Sequence, residues 1–282
     1  MTLSSTPDRL PDETSLGRSA LTVSDLAEQT AFYRDVVGLA VLERSPTTSV
    51  LGAGETPLLV LERDDDVPVR PETSAGLYHN AFRVPSRPAL GAALERIRSH
   101  WQLDGAADHL VSEALYLTDP EGNGVELYRD FPREDWPRSE AGRVQMGTDP
   151  LDLSQLAADS TGAETVPAAT DLGHVHLEVT SLSAFEAFYV ETLGFETQMT
   201  ASNVAFISAG GYHHHLGANT WNRRTTARAG RGLAWIELCL PDKKALEAVT
   251  QRLEDGGYTV DERETAGVVI DPDGIDVRLR VE

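Results

Sequence analysis

The stretch FYRDVVGL at Phe32–Leu39 returns as FYVETLGF at Phe188–Phe195, so that Gly38 and Gly194 stand 156 residues apart. GLYHNAFRVPSRPAL from Gly76 matches GLAWIELCLPDKKAL from Gly232 at the same offset of 156, Pro85 and Pro241 included. DPEGNGVEL from Asp119 matches DPDGIDVRL from Asp271 at an offset of 152. Two halves of the chain are therefore copies that differ by four residues in a loop. Self-similarity of this kind decides the architecture ahead of any local propensity.

Each half splits again into two modules with one element order. Module 1 (16–62) opens on the alternating strand RSALTV, followed by a helix. Asp25 and Glu28 have the spacing of a capping box. Leu26, Thr30, Tyr33 and Val37 fall on one helical face, and Gly38 ends the helix. Three strand-like runs follow: VLERS, TSVLGAG and PLLVLER. Module 2 (76–130) runs YHNAFRV, a helix over Ser86–Trp101 with Leu90, Leu94, Ile97 and Trp101 inward, then DHLVSE, ALYLTDP and GVELYRD. Modules 3 (171–220) and 4 (230–282) repeat the pattern. The reading is α+β: four βαβββ modules in two similar halves. An N-terminal tail (1–15) precedes an N-terminal domain (16–130). The Pro-rich, charged stretch 131–170 is a linker to a C-terminal domain (171–282).

Composition narrows the function. The net charge is -21, and a polyanion of this size repels nucleic acid. No apolar run is long enough to span a membrane, and the N-terminus lacks the basic and apolar stretches of a secretory signal. Cys239 is the single cysteine, which excludes an intrachain disulfide and a Cys-built metal site. A cytoplasmic protein is expected. Only Lys243 and Lys244 are lysines among 24 cations, a balance expected of a protein adapted to high salt.

Four such modules, the FY…G helix end and the DP-x-G-x-x-V ending resemble the vicinal-oxygen-chelate superfamily, which includes glyoxalase I, extradiol ring-cleaving dioxygenases and bleomycin resistance proteins. The resemblance covers about residues 16–130 and 171–282. It implies that modules pair so that their curved sheets close into open, metal-enclosing β-barrels. It also implies metal ligands at the start of a module's first strand and on its last strand. In this chain those places hold His174, His79 and Glu126. Two His and one carboxylate make the facial triad of non-haem Fe(II) oxygenases. The repeat supplies a control, because the equivalent positions in the other modules are Arg18, Trp235 and Arg278, none of them a useful ligand. Familiar extradiol enzymes draw their ligands from consecutive modules of one half. Here modules 2 and 3 must pair across the linker, leaving module 1 with module 4.

The resemblance extends to the residues around the metal. Tyr116 lies ten before Glu126, as an active-site Tyr does in catechol 2,3-dioxygenases. His109 matches their second-sphere His, and His214, within GGYHHHLG, their acid–base His on the last strand of module 3. Strand alternation lets either His214 or the pair His213 and His215 face inward, and alignment selects His214. His176 shares a face with His174, while Asn219 and Trp221 follow the HHH run; all three are expected to line the substrate site. The implied activity is Fe(II)-dependent (or Mn(II)-dependent) extradiol cleavage of a small aromatic diol by O2. The alternatives are a glyoxalase-like metal-dependent isomerase or lyase and a non-catalytic binding or resistance protein. Glyoxalase-like sites carry a carboxylate where this chain has its HHH segment. A homo-oligomer stays open.

Overall fold

The computed structural model describes residues 9–263 and 266–281. Module 1 comprises β1 (Ser15–Val23), α1 (Leu26–Phe32), β2 (Ala40–Arg44), β3 (Thr48–Ala53) and β4 (Thr56–Arg63). Module 2 comprises β5 (Gly76–Arg83), α2 (Arg87–His100), β6 (Gly105–Asp108), β7 (Ser112–Thr118) and β8 (Gly124–Asp130). A short helix, α3 (Leu153–Ala158), lies between the halves. Module 3 comprises β9 (Asp171–Glu178), α4 (Leu182–Glu186), β10 (Glu196–Ala201), β11 (Val204–Ser208) and β12 (Leu216–Asn219). Module 4 comprises β13 (Gly232–Leu240), α5 (Lys243–Asp255), β14 (Asp261–Arg263), β15 (Ala266–Ile270) and β16 (Asp276–Val281). The order is strand, helix and three strands, four times over.

The sheets cross the halves. One eight-stranded sheet runs β14-β15-β16-β13-β1-β4-β3-β2 and joins modules 4 and 1. The other runs β10-β11-β12-β9-β5-β8-β7-β6 and joins modules 3 and 2. The antiparallel pairs β1–β13 and β5–β9 form the two seams.

Within each half the modules meet through their helices, by the same device twice. Tyr33 Oη donates to Asp119 Oδ2 at 3.1 Å, and Tyr189 Oη donates to Asp271 Oδ2 at 3.0 Å. Arg96 donates to the carbonyls of Val36 and Val37, and Arg252, at the equivalent place, to those of Thr192 and Leu193. The acceptors are carbonyls at a helix end, which lack intrahelical donors. Both FY helices finish in a widened turn whose bonds skip five residues, Gly38 N to Tyr33 O and Leu193 N to Phe188 O. These are the segments whose similarity revealed the repeat.

Local structure follows the residues with three departures. Asp25 caps α1 by accepting from Ala27 N and Glu28 N, but the carboxylate that accepts from the Asp25 N–H is Glu121, from module 2, and not Glu28. Leu90, Leu94 and Ile97 of α2 are fully buried, each contributing about 1.5–3 kcal/mol. Trp101 is not inward as expected: it ends the helix 41% exposed, its indole donating to Thr118 O and its ring edge-on to Phe32. DHLVSE is not one strand, because β6 stops at Asp108 and a tight turn carries His109 before β7 begins. There the His109 N–H bonds Ser112 O and the Leu110 N–H bonds Asp108 Oδ1. No helix among the described residues is long and apolar enough to cross a membrane.

Candidate metal centre and active site

Strand register gathers the three candidate ligands. Ala81, on β5, pairs with Glu126 on β8 to one side and with His174 on β9 to the other. Cross-strand partners share a face, and so does His79, two residues before Ala81. The three long side chains therefore converge above one methyl group. His79 Nε2 and His174 Nε2 lie 3.0 and 3.1 Å from Glu126 Oε2, and 3.3 Å from each other. All three residues are buried. Among the described residues this is the one cluster of His, Cys, Asp and Glu placed to hold a metal ion.

The donor set fits a divalent metal. An ion bound at about 2.1 Å holds adjacent ligands of an octahedron about 3 Å apart, and the observed triangle has that edge. Two neutral imidazoles and a carboxylate suit Fe(II), Mn(II) or Zn(II) alike. Burial pushes the His174 pKa down to about 4, so the ring is neutral and able to ligate at neutral pH. Burial alone would raise the Glu126 pKa, but its hydrogen bonds with His174 and His79 outweigh that and keep the carboxylate ionised. His174 Nδ1 is buried without a hydrogen-bond partner. Its ring plane is held by packing instead, against His214 at 4.1 Å and Tyr128 at 4.8 Å between centroids.

Two glycines let the backbones close around this cluster. A Cβ on Gly124, which pairs with His79, would lie 2.0 Å from the Tyr78 carbonyl. A Cβ on Gly217, which pairs with His176, would press on that imidazole at 3.0 Å.

The donors open onto a cavity of about 530 Å³, within the ordinary range for small-molecule sites. His214, His176, His109, Tyr116 and Trp221 all line it, with apolar walls from Ala106, Val111, Met146, Met199, Val204 and Phe206. A broader, more polar cleft of about 830 Å³ shares Tyr78, His79 and Tyr116 with it.

Tyr116 pairs directly with Glu126, which aims its ring over the cluster. Burial, reinforced by the Glu126 charge, raises the Tyr116 pKa well above the phenol range, so it stays protonated. Its hydroxyl meets His109 Nε2 at 2.6 Å. His109 Nδ1 lies 2.7 Å from the carbonyl of Gly147, which can only accept. Nδ1 therefore carries a proton, and in the neutral ring Nε2 accepts and Tyr116 donates. Gly147 belongs to the stretch 131–170 expected as a linker. That stretch also supplies Met146 and Thr148 to the cavity wall, and Asp149, whose backbone pairs with Asp108.

The HHH segment precedes β12 and is not part of it, so it lacks strand geometry, yet its three side chains still diverge. His214 faces the cavity. His213 turns to Asp130, with Nε2 2.9 Å from Oδ1, and His215 accepts from Ala209 N on the far side. Burial holds the His214 pKa well below the usual range. Asn219 does not line the cavity; it donates to His176 Nε2 at 3.1 Å and accepts from Trp221 N, fixing the His176 ring from behind. Trp221 is 43% exposed and stacks edgewise with Tyr78 at 5.2 Å.

Sequence reasoning missed Tyr78, Phe206, Asp130 and His213. Asp130 was within reach, because strand alternation places Glu126, Tyr128 and Asp130 on one face of β8. Burial pushes its pKa up, but His213 and Arg83 together outweigh that and keep it below the usual carboxylate value.

In the second cup, between modules 1 and 4, the equivalent positions bond to one another instead of converging as donors. The Arg278 guanidinium lies 3.8 Å from the centre of the Trp235 ring, and Arg18 pairs with Glu237 at 2.7 Å. Glu237 occupies the place equivalent to Ala81, so a salt bridge stands where the other cup gathers its three donors.

Residues 15–127 and 171–279 match the family model of the Glyoxalase/Bleomycin resistance protein/Dioxygenase superfamily. A catechol-2,3-dioxygenase of Bacillus subtilis (strain 168) is 38% identical over 270 residues, covering 93% of this chain and 95% of its own. A crystal structure of a provisionally assigned dioxygenase from Bacillus subtilis subsp. subtilis strain 168 superposes with a TM-score of 0.66 at 14% identity, over 97% of this chain and 86% of that one. Glyoxalase I from Zea mays superposes with a TM-score of 0.59 at 17% identity, over 95% and 92%. At such identities the two structures speak to the fold alone.

Proposed function

The chain belongs to the Glyoxalase/Bleomycin resistance protein/Dioxygenase superfamily, and from that membership we propose that it is an extradiol dioxygenase, holding Fe(II) on His79, His174 and Glu126 and opening the ring of a small catechol with O2. The observation that carries this reading is the donor triangle, buried on one side and open on the other to a cavity lined by His214 and Tyr116. A bound Fe(II) would supply a centre on which diol and O2 meet and exchange electrons.

The chain's own residues handle protons, orientation and water. Neutral His214 is placed to take a diol proton and return it later. Tyr116, whose hydroxyl proton is committed to His109, keeps its oxygen lone pairs available to a substrate hydroxyl. Phe206, Met199 and Val111 exclude water and favour an aromatic ring, and Trp221 with Tyr78 walls the mouth. Glu126 is the one carboxylate lining this cavity, and it is already committed as a ligand. A glyoxalase-like isomerisation lacks the further carboxylate expected at the HHH segment.

The test is an oxygen-electrode assay on protein loaded anaerobically with Fe(II). Catechol should drive O2 uptake and give a yellow 2-hydroxymuconic semialdehyde-type product. His79→Ala, Glu126→Ala and His174→Ala should lose the single iron per chain, while Arg18→Ala and Trp235→Ala should retain it. Iron-loaded protein that consumes no O2 across a panel of catechols would overturn the reading.

A further inference from the structure

Behind His214 lies a buried chain of hydrogen bonds that the site described above does not use. His214 Nδ1 lies 2.7 Å from His213 Nδ1, and His213 Nε2 lies 2.9 Å from Asp130 Oδ1. The other oxygen of Asp130 accepts from Tyr212 Oη and from Arg83, each at 3.0 Å. His213 is fully buried, with its ring 4.0 Å from that of Tyr212 and 5.3 Å from that of Trp136.

Donor and acceptor counting gives the chain a direction. The Asp130 carboxylate can only accept, so His213 carries a proton on Nε2. If each ring carries one proton, His213 Nδ1 is bare and must accept. His214 then donates from Nδ1, which leaves its Nε2 unprotonated. A doubly protonated His213 would reverse the direction, donating from Nδ1 and leaving His214 protonated on Nε2.

We propose that Asp130 and His213 are positioning residues that fix the tautomer of His214, so that its bare Nε2 faces the cavity as a proton acceptor. The proposal rests on the dioxygenase reading for what that acceptor does, while the tautomer is argued from the hydrogen bonds and one proton on each ring. Neither residue touches the cavity. A residue that merely filled space would not specify which ring nitrogen carries the proton, whereas a carboxylate two hydrogen bonds away does. The second ring nitrogen of a catalytic histidine sets the role of the first in this way.

The experiment reads the tautomer directly. Full-length protein with 15N-labelled histidine, loaded with diamagnetic Zn(II), should show His214 protonated at Nδ1 and bare at Nε2 in its ring 15N shifts. The His214→Phe spectrum identifies the resonances. Asp130→Asn, which keeps the shape but lets an amide donate, should yield a mixture of His214 tautomers, and His213→Phe should lose the Nδ1-protonated form. On the Fe(II) enzyme both should lower kcat by about 10- to 100-fold, at the low end of acid–base contributions, with KM changed less than about threefold. His213→Asn, whose amide oxygen can accept where Nδ1 did, should restore the tautomer and most of kcat. An Nε2-protonated His214 in the parent protein, or an unchanged tautomer in both variants, would overturn the proposal. So would a kcat for Asp130→Asn and His213→Phe equal to that of the parent. The spectrum needs no turnover, so a parent protein that takes up no O2 refutes the dioxygenase reading and leaves the tautomer to decide this one.

Discussion

Ala81→Leu should destroy the candidate metal centre without destroying the fold. Ala81 is fully buried, and its partners on either side are Glu126 and His174. The donor atoms of Glu126, His174 and His79 meet above it at 3.0, 3.1 and 3.3 Å. Leucine adds three carbons in the space through which those side chains approach each other. Overpacking of this kind costs about 1–3 kcal/mol. At about 2–4 °C per kcal/mol for a chain of this size, the metal-free Tm should fall by roughly 2–12 °C. The larger effect is on the ligand response. A metal present at one hundred times its Kd stabilises the parent by about 2.7 kcal/mol, or roughly 5–11 °C. Scanning calorimetry with and without Mn(II) should show that increment in the parent and in Ala81→Gly, and none in Ala81→Leu. An equal increment in Ala81→Leu would mean that the metal does not sit above Ala81, and the register argument for the site would fail.

Three further outcomes are expected. His214→Phe should retain its metal, measured by elemental analysis, while kcat falls by about two to four orders of magnitude; loss of the metal would make His214 a ligand. Burial, with Asp273 nearby, raises the pKa of Asp271 to about 6, above its unfolded value of about 3.8. The folded state thus holds this proton longer, so the stabilising effect is complete below about pH 4 and is lost as pH rises through about 6. Asp271→Asn should remove that loss, so that its stability difference from the parent shifts in its favour by up to about 3 kcal/mol between pH 4 and 7 in urea titrations; a pH-independent difference would refute the buried-charge account. Finally, the net charge of -21 should make Tm climb from low to molar salt, and a flat response would reject salt adaptation.

The repeat made much of this molecule legible before any coordinates. Periodicity and offset are properties of the chain itself, so the four modules, their element order and the asymmetry between His174, His79, Glu126 and Arg18, Trp235, Arg278 could be read directly. The same asymmetry required modules 2 and 3 to share a sheet, and β5 pairs with β9. Local signals also marked the capping role of Asp25 and the inward face of α2. Where they failed, a distant group had intervened: Glu121 takes the Asp25 N–H from 96 residues away, and Phe32 gives Trp101 a partner at the surface. Tertiary structure alone decided the surroundings of the candidate metal cluster. Ala81 matters because two strands from different halves flank it. Gly147 orients His109 across 38 residues, and Asp130 reaches His213 across 83. Hydrogen bonds between groups so far apart leave no periodic trace, because nothing in the local backbone requires them. They exist only once the chain has folded back on itself.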